Sequence, residues 1–202
     1  GIPYVQAPSE AEAQAAYMAK RGDVWASASQ DYDSILFATP RLVRNVTVSG
    51  RRKLPGKNVY IQVSPELVDL QVLLRTLGIT HEQLTDLGIL VGTDYNPRGV
   101  AGFGPKSALK LIKKYGDGKS VLATIDPSRF DFELEDIKSF FLKPEVISDY
   151  SLTWRPVDDD GIVSLLCGEY DFSLDRVKKA LGDLSSALEE VVKDSTLDGW
   201  FS

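Results

Sequence analysis

The chain has 202 residues, of which 43% are hydrophobic, a length that suits one large domain or one domain with an appendage. Its net charge of −6 argues against binding nucleic acid through overall charge, although local basic patches are not excluded. The single cysteine, Cys167, excludes an intrachain disulfide and suits a reducing, intracellular compartment. No apolar run reaches the length of a membrane span, so we expect no membrane association.

Strands and helices alternate along the first half of the predicted structure. Two apolar segments, residues 2–5 and 24–29, are strand candidates on either side of a helix from about Ser9 to Lys20. A strand, a helix and a strand within about 30 residues are typical of a parallel sheet. Three further strands are predicted at residues 35–38, 42–48 and 59–63. Because the chain begins without methionine inside the first predicted strand, we expect further sequence to precede Gly1.

Helices dominate the rest of the predicted structure. Pro65, Thr80 and Pro105 each stand at a helix start, and Gln83 completes a capping box with Thr80. The segment 92–104 is rich in Gly, Pro, Asn and Asp, which predicts a loop. The predicted helices span residues 65–77, 80–91, 105–115, 134–141, 158–166, 174–181 and 184–192.

Three segments carry carboxylates where an α/β fold would present them at one edge of its sheet. They are Glu10 and Glu12 at a helix start, Asp31 and Asp33 after a strand, and Asp94 after a helix. Each group also has a plainer interpretation, and these alternatives stay open. Glu12 fits a capping box with Ser9, and the aspartates fit polar turns.

The spacing within each carboxylate pair decides whether its members can serve one metal centre. In extended chain, residues i and i+2 point the same way, so Asp31 and Asp33 would face the crevice beyond the sheet. Glu10 and Glu12 would diverge by about 200° on a regular helix, so they can share a centre only at its first turn. Clustered carboxylates repel unless a divalent cation offsets their charge, and Mg²⁺ prefers oxygen ligands. The pattern predicts a metal-dependent enzyme that cuts phosphodiesters.

Two basic segments stand out in this acidic chain. Gly102, Phe103 and Gly104 form a tight turn before a helix, and amides at such a turn bind phosphate without reading sequence. Lys106 and Lys110 follow at helical spacing, which indicates either a duplex-binding face or a solvated lysine face. Residues 41–57 contain six bases and no acid, which fits DNA contact or a hairpin edge protected by charge.

The last residues place large apolar side chains in a polar terminus. Leu197, Trp200 and Phe201 either pack back on the body or form a linear motif that fills an apolar pocket on a partner.

Four motifs resemble, in order and spacing, the flap endonuclease (XPG-type) family, in its archaeal form. They are residues 7–13 (APSEAEA), 30–33 (QDYD), 92–95 (GTDY) and 102–106 (GFGPK). The likeness runs over essentially the whole chain. It implies an α/β, PIN-like 5′ nuclease fold with a parallel-sheet core, a helix–two-turn–helix element and a helical C-terminal region.

The resemblance also implies roles for the candidate residues. Glu10 and Glu12 would help hold one Mg²⁺, while Asp31, Asp33 and Asp94 would hold a second, and all five would be catalytic. The turn Gly102, Phe103, Gly104, with Lys106 and Lys110, would bind the downstream duplex, typically with a K⁺ ion. Residues 194–201, with Leu197, Trp200 and Phe201, would bind the sliding clamp (PCNA), although Asp194 replaces the motif's glutamine.

We therefore expect an intracellular, monomeric, Mg²⁺-dependent 5′ flap endonuclease and 5′–3′ exonuclease of replication and repair, acting on branched DNA. The expected location is the cytoplasm or nucleoid, or the nucleus of a eukaryote. The expected regions are residues 1–94 (nuclease core), 95–130 (helix–two-turn–helix), 131–192 (helical region) and 193–202 (clamp-binding tail). In the family a preceding segment carries two more metal-binding aspartates and a helical arch, so we expect the chain to lack this part and to be either inactive alone or deficient in the first metal site.

Three alternatives remain from the sequence. The chain could be a non-catalytic DNA- and clamp-binding module that keeps its carboxylates as helix caps. It could be an unrelated phosphohydrolase of small molecules, or a repair or junction-resolving nuclease of the same family.

Overall fold

The computed structural model describes residues 1–46, 50–53, 56 and 58–195. They form two compact units. The larger unit spans Gln6–Asp149, and the smaller joins Gly1–Val5 to the chain from Tyr150 onward. The regional division expected at residues 94, 130 and 192 stays a prediction. No helix within the described residues is long and apolar enough to cross a membrane.

The larger unit combines short strands with seven helices among its described residues. The strands are β1 (Ser27–Ala28), β2 (Arg41–Arg44), β3 (Gly50–Lys53), β4 (Tyr60–Val63) and β5 (Glu66–Asp69). The helices are α1 (Ala11–Arg21), α2 (Asp33–Leu36), α3 (Leu70–Leu77), α4 (His81–Val91), α5 (Pro105–Tyr115), α6 (Gly118–Leu122) and α7 (Leu134–Leu142). One turn of 3₁₀ helix lies at Pro127–Arg129.

The central sheet is mixed. β1 runs parallel to β2, pairing Ser27 with Leu42, whereas β5 is antiparallel to β2, pairing Val68 with Leu42. Leu42 is fully buried at the middle of this sheet. β3 and β4 form a separate antiparallel hairpin, in which Gly50 pairs with Val63.

A continuous apolar core connects the helices of the larger unit. Ala13 and Ala16 of α1 are buried, and such small side chains allow α1 to approach α2 closely. Leu90 of α4 is fully buried, and α4 packs against α2, α5, α6 and α7. Ile112 of α5 and Phe141 of α7 join the same core. The start of α1, the start of α2 and the end of α4 are thereby held near one another.

The smaller unit is helical. It contains α8 (Asp159–Val163), a π-helical segment at Ser164–Glu169 and α9 (Leu174–Ser195). The backbone N–H of Arg155 donates to the carbonyl oxygen of Gly1 over 2.9 Å, which ties the first residues to this unit. The two helices predicted at residues 174–181 and 184–192 are one helix, because an interior glycine costs only about 1 kcal/mol and does not end a helix by itself.

Helices α4 and α5, which have the strongest start signals in the sequence, were predicted correctly. α5 has the predicted bounds, and α4 begins after Thr80 with the predicted capping box, in which Thr80 and Gln83 exchange hydrogen bonds. Helix α6 was not predicted, because five residues are too short to show helical periodicity.

Three predictions at the edges of the sheet were wrong. Residues 2–5 have no regular structure, and residues 35–38 contain the end of α2 rather than a strand. Short apolar runs do not distinguish a strand from a buried helical turn. The helix predicted from residue 65 begins only at Leu70, because Glu66–Asp69 is taken up by β5 and the Asp69 side chain caps α3.

Candidate metal centre

Carboxylates from three separate parts of the chain meet in one cavity of the larger unit. The cavity has a volume of about 50 Å³, enough for several water molecules. Its lining consists of Glu10, Glu12, Asp31, Asp33, Asp94, Phe37 and Tyr95. All five carboxylates singled out from the sequence therefore lie together.

The entry into α1 places both glutamates at the cavity. Glu10 is the N-cap residue, and its backbone is still extended (φ −75°, ψ 130°), so the chain has not yet entered the helix there. Glu12 lies in the first turn. The capping box between Ser9 and Glu12, the alternative left open from the sequence, does not form, since no side chain caps this helix and the Glu12 carboxylate instead accepts a hydrogen bond from Ser29.

The turn after β1 carries Asp31 and Asp33, but they do not form the extended pair that the sequence predicted. Tyr32 between them has α-helical angles (φ −85°, ψ −5°), because α2 begins at Asp33. Asp31 is exposed and Asp33 is half-buried. The turn is braced by Arg44 of β2, whose Nε donates to the carbonyl oxygen of Gln30 over 3.1 Å.

The loop after α4 holds Asp94 at the cavity through a neighbouring asparagine. The Asn96 side-chain oxygen accepts hydrogen bonds from the Thr93 amide (3.1 Å) and hydroxyl (2.7 Å). Its side-chain nitrogen donates to the carbonyl oxygen of Ile89 over 2.7 Å, which ties the loop to α4. Asn96 therefore closes the turn. From the sequence, Asp94 was the candidate for this role.

The carboxylates in the cavity repel one another, and this repulsion favours the binding of a cation. The pKa of Asp33 is raised above its ordinary value, first by burial and then by the negative charges of the other four carboxylates, in decreasing order Asp94, Asp31, Glu12 and Glu10. A divalent cation would reverse the sign of that effect, and carboxylate oxygens are the donors that hard cations prefer. Among the described residues no three acidic, His or Cys side chains already converge on one point as ligands. It is the donor chemistry and the negative charge of the five carboxylates that fit a divalent cation.

Two hydroxyl groups at the cavity were missed by sequence reasoning. The Tyr95 hydroxyl donates to Glu10 Oε1 over 2.5 Å, and the Ser29 hydroxyl donates to Glu12 Oε1 over 3.1 Å. Burial and the bond to Glu10 raise the pKa of Tyr95, so it stays protonated. Their positions in the sequence could have indicated them, because Tyr95 follows Asp94 directly and Ser29 follows the strand that precedes Asp31.

The predicted phosphate-binding turn forms as a tight turn at the start of α5. Gly102 has a left-handed backbone (φ 80°), and the Phe103 amide donates to the carbonyl oxygen of Val100 over 2.9 Å. Gly104 is the N-cap residue, and its N–H donates to the Ser107 hydroxyl over 2.9 Å. Arg129 lies 5.7 Å from the centre of the Phe103 ring.

The lysines that follow this turn project into solvent. Lys106 and Lys110 of α5 are exposed, whereas Ala108 and Ile112 on its other side are buried. The two lysines are therefore available for contact with phosphates, whereas the Phe103 and Gly104 amides of the turn are already hydrogen-bonded within the protein. The candidate partner-binding residues Leu197, Trp200 and Phe201 lie outside the described residues, and α9 extends as far as Ser195.

Residues 1–94 match the protein family described as XPG I-region. Flap endonuclease 1 of Pyrococcus abyssi (strain GE5 / Orsay) is 55% identical over 201 residues, which cover 100% of this chain and 57% of that protein. Flap endonuclease 1 of Staphylothermus marinus is 52% identical over 204 residues, which cover 58% of its length. The chain thus spans somewhat more than half the length of these relatives.

A solved structure agrees with these matches. Flap endonuclease-1 from Methanococcus jannaschii superimposes with a TM-score of 0.74 at 45% identity, over 89% of this chain and 51% of that one. The catalytic core of Rad2 in complex with DNA substrate superimposes with a TM-score of 0.70 at 23% identity, which shows the shared fold alone. The predicted α/β, PIN-like 5′ nuclease fold with a helical C-terminal region is confirmed. The chain belongs to the flap endonuclease (XPG-type) family.

Proposed function

We propose that this chain provides a divalent-cation centre and a duplex-binding element of a structure-specific 5′ flap endonuclease, which hydrolyses DNA phosphodiesters in replication and repair. The same site would support 5′–3′ exonuclease activity. The observation that carries the proposal is the meeting of Glu10, Glu12, Asp31, Asp33 and Asp94 in one cavity. The family match supports the choice of a branched DNA substrate.

Each carboxylate has a distinct part in this proposal. Glu10 and Glu12 lie on the α1 side and would hold one Mg²⁺, while Asp31, Asp33 and Asp94 would hold a second. A pair of such ions, when bound, supplies an activated water and stabilises the leaving oxygen of a phosphodiester. The chain's own contribution is to hold charged oxygens in a small cavity, where half-buried Asp33 is the least solvated of the aspartates.

The duplex would be recognised by its backbone rather than by its bases. The exposed Lys106 and Lys110, beside the turn at Gly102, Phe103 and Gly104, offer positive charges to phosphates, which position a duplex without reading its sequence. A K⁺ ion at this turn belongs to the same proposal, since the turn also offers backbone carbonyl groups.

Binding to the sliding clamp (PCNA) is proposed for residues 194–201. Its support is the sequence pattern of Leu197, Trp200 and Phe201, three apolar side chains in a short terminal stretch. Asp194 stands where the motif usually has glutamine, so we expect weak affinity. Isothermal titration calorimetry with a synthetic peptide of residues 190–202 tests this, and a Trp200→Ala, Phe201→Ala peptide is its control.

The experiment that tests the proposed function is cleavage of an end-labelled double-flap DNA with and without Mg²⁺. The chain is assayed alone and fused behind the preceding segment of the Pyrococcus abyssi relative, each beside an Asp33→Ala variant. We expect Mg²⁺-dependent cutting at the flap junction that the variant loses. Flap binding without cutting in both forms would instead support a non-catalytic DNA-binding module, and preferred cutting of a four-way junction would support a junction-resolving nuclease.

A further inference from the structure

The two glutamates of the metal centre are each held by a hydroxyl from a different part of the fold. Tyr95, in the loop after α4, donates to Glu10 over 2.5 Å. Ser29, at the end of β1, donates to Glu12 over 3.1 Å. The same Ser29 oxygen accepts a hydrogen bond from the Asp31 amide over 3.1 Å, so it also links Glu12 to the aspartate turn.

We propose that Tyr95 and Ser29 are positioning residues of the metal centre, which fix the directions of Glu10 and Glu12 before a cation binds. This inference rests on the proposed function, because it assigns the two hydroxyls a part in the same site. Neither hydroxyl is assigned a direct contact with the cation or with DNA.

The backbone geometry at the start of α1 explains why Glu10 and Glu12 need these hydrogen bonds. Glutamate has three side-chain torsions, and Glu10 and Glu12 leave the backbone at the point where extended chain becomes helix. Two like charges left free at this point would swing apart, because their repulsion opposes a shared position. A hydrogen bond to one oxygen of each glutamate opposes that movement. A carboxylate has about four lone-pair sites, so each glutamate keeps sites for a cation.

Tyr95 is well suited to hold Glu10, because its ring is itself fixed by aromatic packing. The ring centre lies 4.4 Å from that of Phe140 and 5.8 Å from that of Phe141, both in α7. Phe141 is almost fully buried. The Tyr95 hydroxyl therefore projects from a rigid base, and a Tyr95→Phe substitution would keep the base while removing only the hydrogen bond.

The test measures Mn²⁺ binding to the 202-residue chain by electron paramagnetic resonance of the free ion, without DNA. Tyr95→Phe and Ser29→Ala remove one hydroxyl each, and Ser29→Thr keeps a hydroxyl at that position.

Tyr17→Phe is the matched control on α1, because the Tyr17 hydroxyl contacts Arg21 rather than a carboxylate of the cavity. Ser151→Ala is the matched control for serine, since Ser151 contacts Thr153 in the smaller unit. Thermal unfolding in EDTA shows whether each variant keeps its fold.

We expect Tyr95→Phe and Ser29→Ala each to weaken Mn²⁺ binding by about 10- to 100-fold, as outer partners of metal ligands commonly do. Ser29→Thr and both controls should bind like the parent chain. Variants that fold normally and keep the parent's affinity, or exceed it, would overturn the positioning role while leaving the proposed function in place. A parent chain that binds no Mn²⁺, or binds it equally well after Asp33→Ala, would overturn the proposed function and this inference with it.

Discussion

Asp33 is surrounded by four other carboxylates and is half-buried at the start of α2. In the absence of a cation, its negative charge opposes folding, because burial and like charge both disfavour the ionised form. A residue that serves binding in this way lowers the stability of the free protein. Replacement of such residues commonly stabilises a fold at the expense of function.

We therefore expect Asp33→Asn to raise the free energy of unfolding in EDTA by about 0.5–2 kcal/mol, while it weakens Mn²⁺ binding. Urea unfolding with and without the ion checks both effects. Asp149→Asn is the control, because Asp149 is exposed and outside the cavity. An unchanged or lower stability of Asp33→Asn in EDTA would contradict the electrostatic description of the cavity.

His81, the only histidine of the chain, contacts α2, the helix that begins at Asp33. Its Nε2 is 3.0 Å from the carbonyl oxygen of Ile35 in α2, at hydrogen-bonding distance for an N–H on that nitrogen. His81 is half-buried in the first turn of α4. Burial is the largest influence on this group and lowers its pKa below the ordinary value, with Lys20 acting in the same direction.

This lowered pKa gives a prediction for acid conditions. The unfolded chain takes up a proton on His81 at its ordinary pKa near 6.5, whereas the folded chain takes it up only at lower pH. Stability is thus lost as the pH falls through the unfolded value. Between about pH 7.5 and pH 5.5, the free energy of unfolding should fall more steeply for the parent than for His81→Gln, by at most roughly 1.4 kcal/mol per pH unit. Parallel slopes in urea titrations would contradict this.

Residue types and spacing sufficed to single out all five carboxylates, but not their surroundings. The sequence offered only Ser9 as a partner of Glu12, because it is the fold that brings Ser29 within 3.1 Å. The contact of Tyr95 with Glu10 joins residues 85 positions apart, and no local pattern predicts such a pair.

At the scale of elements, the buried carboxylate of Asp86 joins three helices of the larger unit. The Asp86 carboxylate of α4 is 1% exposed, and Lys138 Nζ of α7 lies 2.9 Å from its Oδ1 and 3.1 Å from its Oδ2. The Gly118 amide at the start of α6 donates to Oδ2 over 3.0 Å. These contacts replace the hydrogen bonds to water that the carboxylate loses on burial.

Lys138→Met should therefore reduce the free energy of unfolding by about 3–5 kcal/mol, because it leaves the buried Asp86 charge without its cation. Urea unfolding measures the loss. Lys143→Met, at the exposed end of α7, is the control and should change stability by less than about 0.5 kcal/mol. A similar small effect at Lys138 would show that the pair contributes little.

The loop that carries Asp94 depends on a glycine that packs against α4. Gly99 has a left-handed backbone (φ 49°), and a Cβ there would lie 2.5 Å from the carbonyl carbon and oxygen of Val91. The next residue, Val100, donates its N–H to the carbonyl oxygen of Leu90 over 2.9 Å. No side chain fits at Gly99 without moving this backbone contact.

Gly99→Ala should destabilise the chain by about 2 kcal/mol or more, since the left-handed backbone alone costs about 1–2 kcal/mol and the contact with Val91 adds to it. It should also weaken Mn²⁺ binding by displacing Asp94. Gly104→Ala is the comparison, because no atom lies within 4 Å of its Cβ position and its φ is negative. Equal stability of the two variants in urea would contradict the close approach of the loop to α4.

Elements with explicit start and stop signals were predictable, whereas those created by tertiary pairing were not. α5 starts with Pro105 and ends before Gly116, and α4 starts with its capping box, so both were predicted closely. β5 exists because it pairs with β2, and its four residues carry no signal strong enough to compete with the helix that follows. The turn of α2 likewise depends on the burial of Ile35 and Leu36.

At the scale of the whole molecule, the net charge of −6 means that the proposed binding of duplex DNA must rely on local positive charge. The exposed Lys106 and Lys110 beside the glycine turn are the described groups that we propose for this contact. Each lysine that neutralises a phosphate releases counterions, which makes the affinity depend on salt.

Replacing both lysines with alanine should weaken binding of blunt duplex DNA and reduce the slope of log affinity against log salt concentration by roughly two, one for each lost phosphate contact. Fluorescence anisotropy at several salt concentrations gives this slope. Lys143→Ala, an exposed lysine outside the turn, should leave it unchanged. An unchanged slope for the double variant would remove α5 from the proposed DNA interface.

We propose that the carboxylates of α1, of the turn at the start of α2 and of the loop after α4 together bind divalent cations. The most direct measurement is a crystal of the chain soaked in Mn²⁺, with anomalous diffraction used to locate the ions. We predict anomalous peaks within coordination distance of Asp33 and of its neighbours in the cavity, and their loss in crystals of Asp33→Ala. Ordered carboxylates with no peak between them at saturating Mn²⁺, or peaks confined to other parts of the surface, would contradict the account.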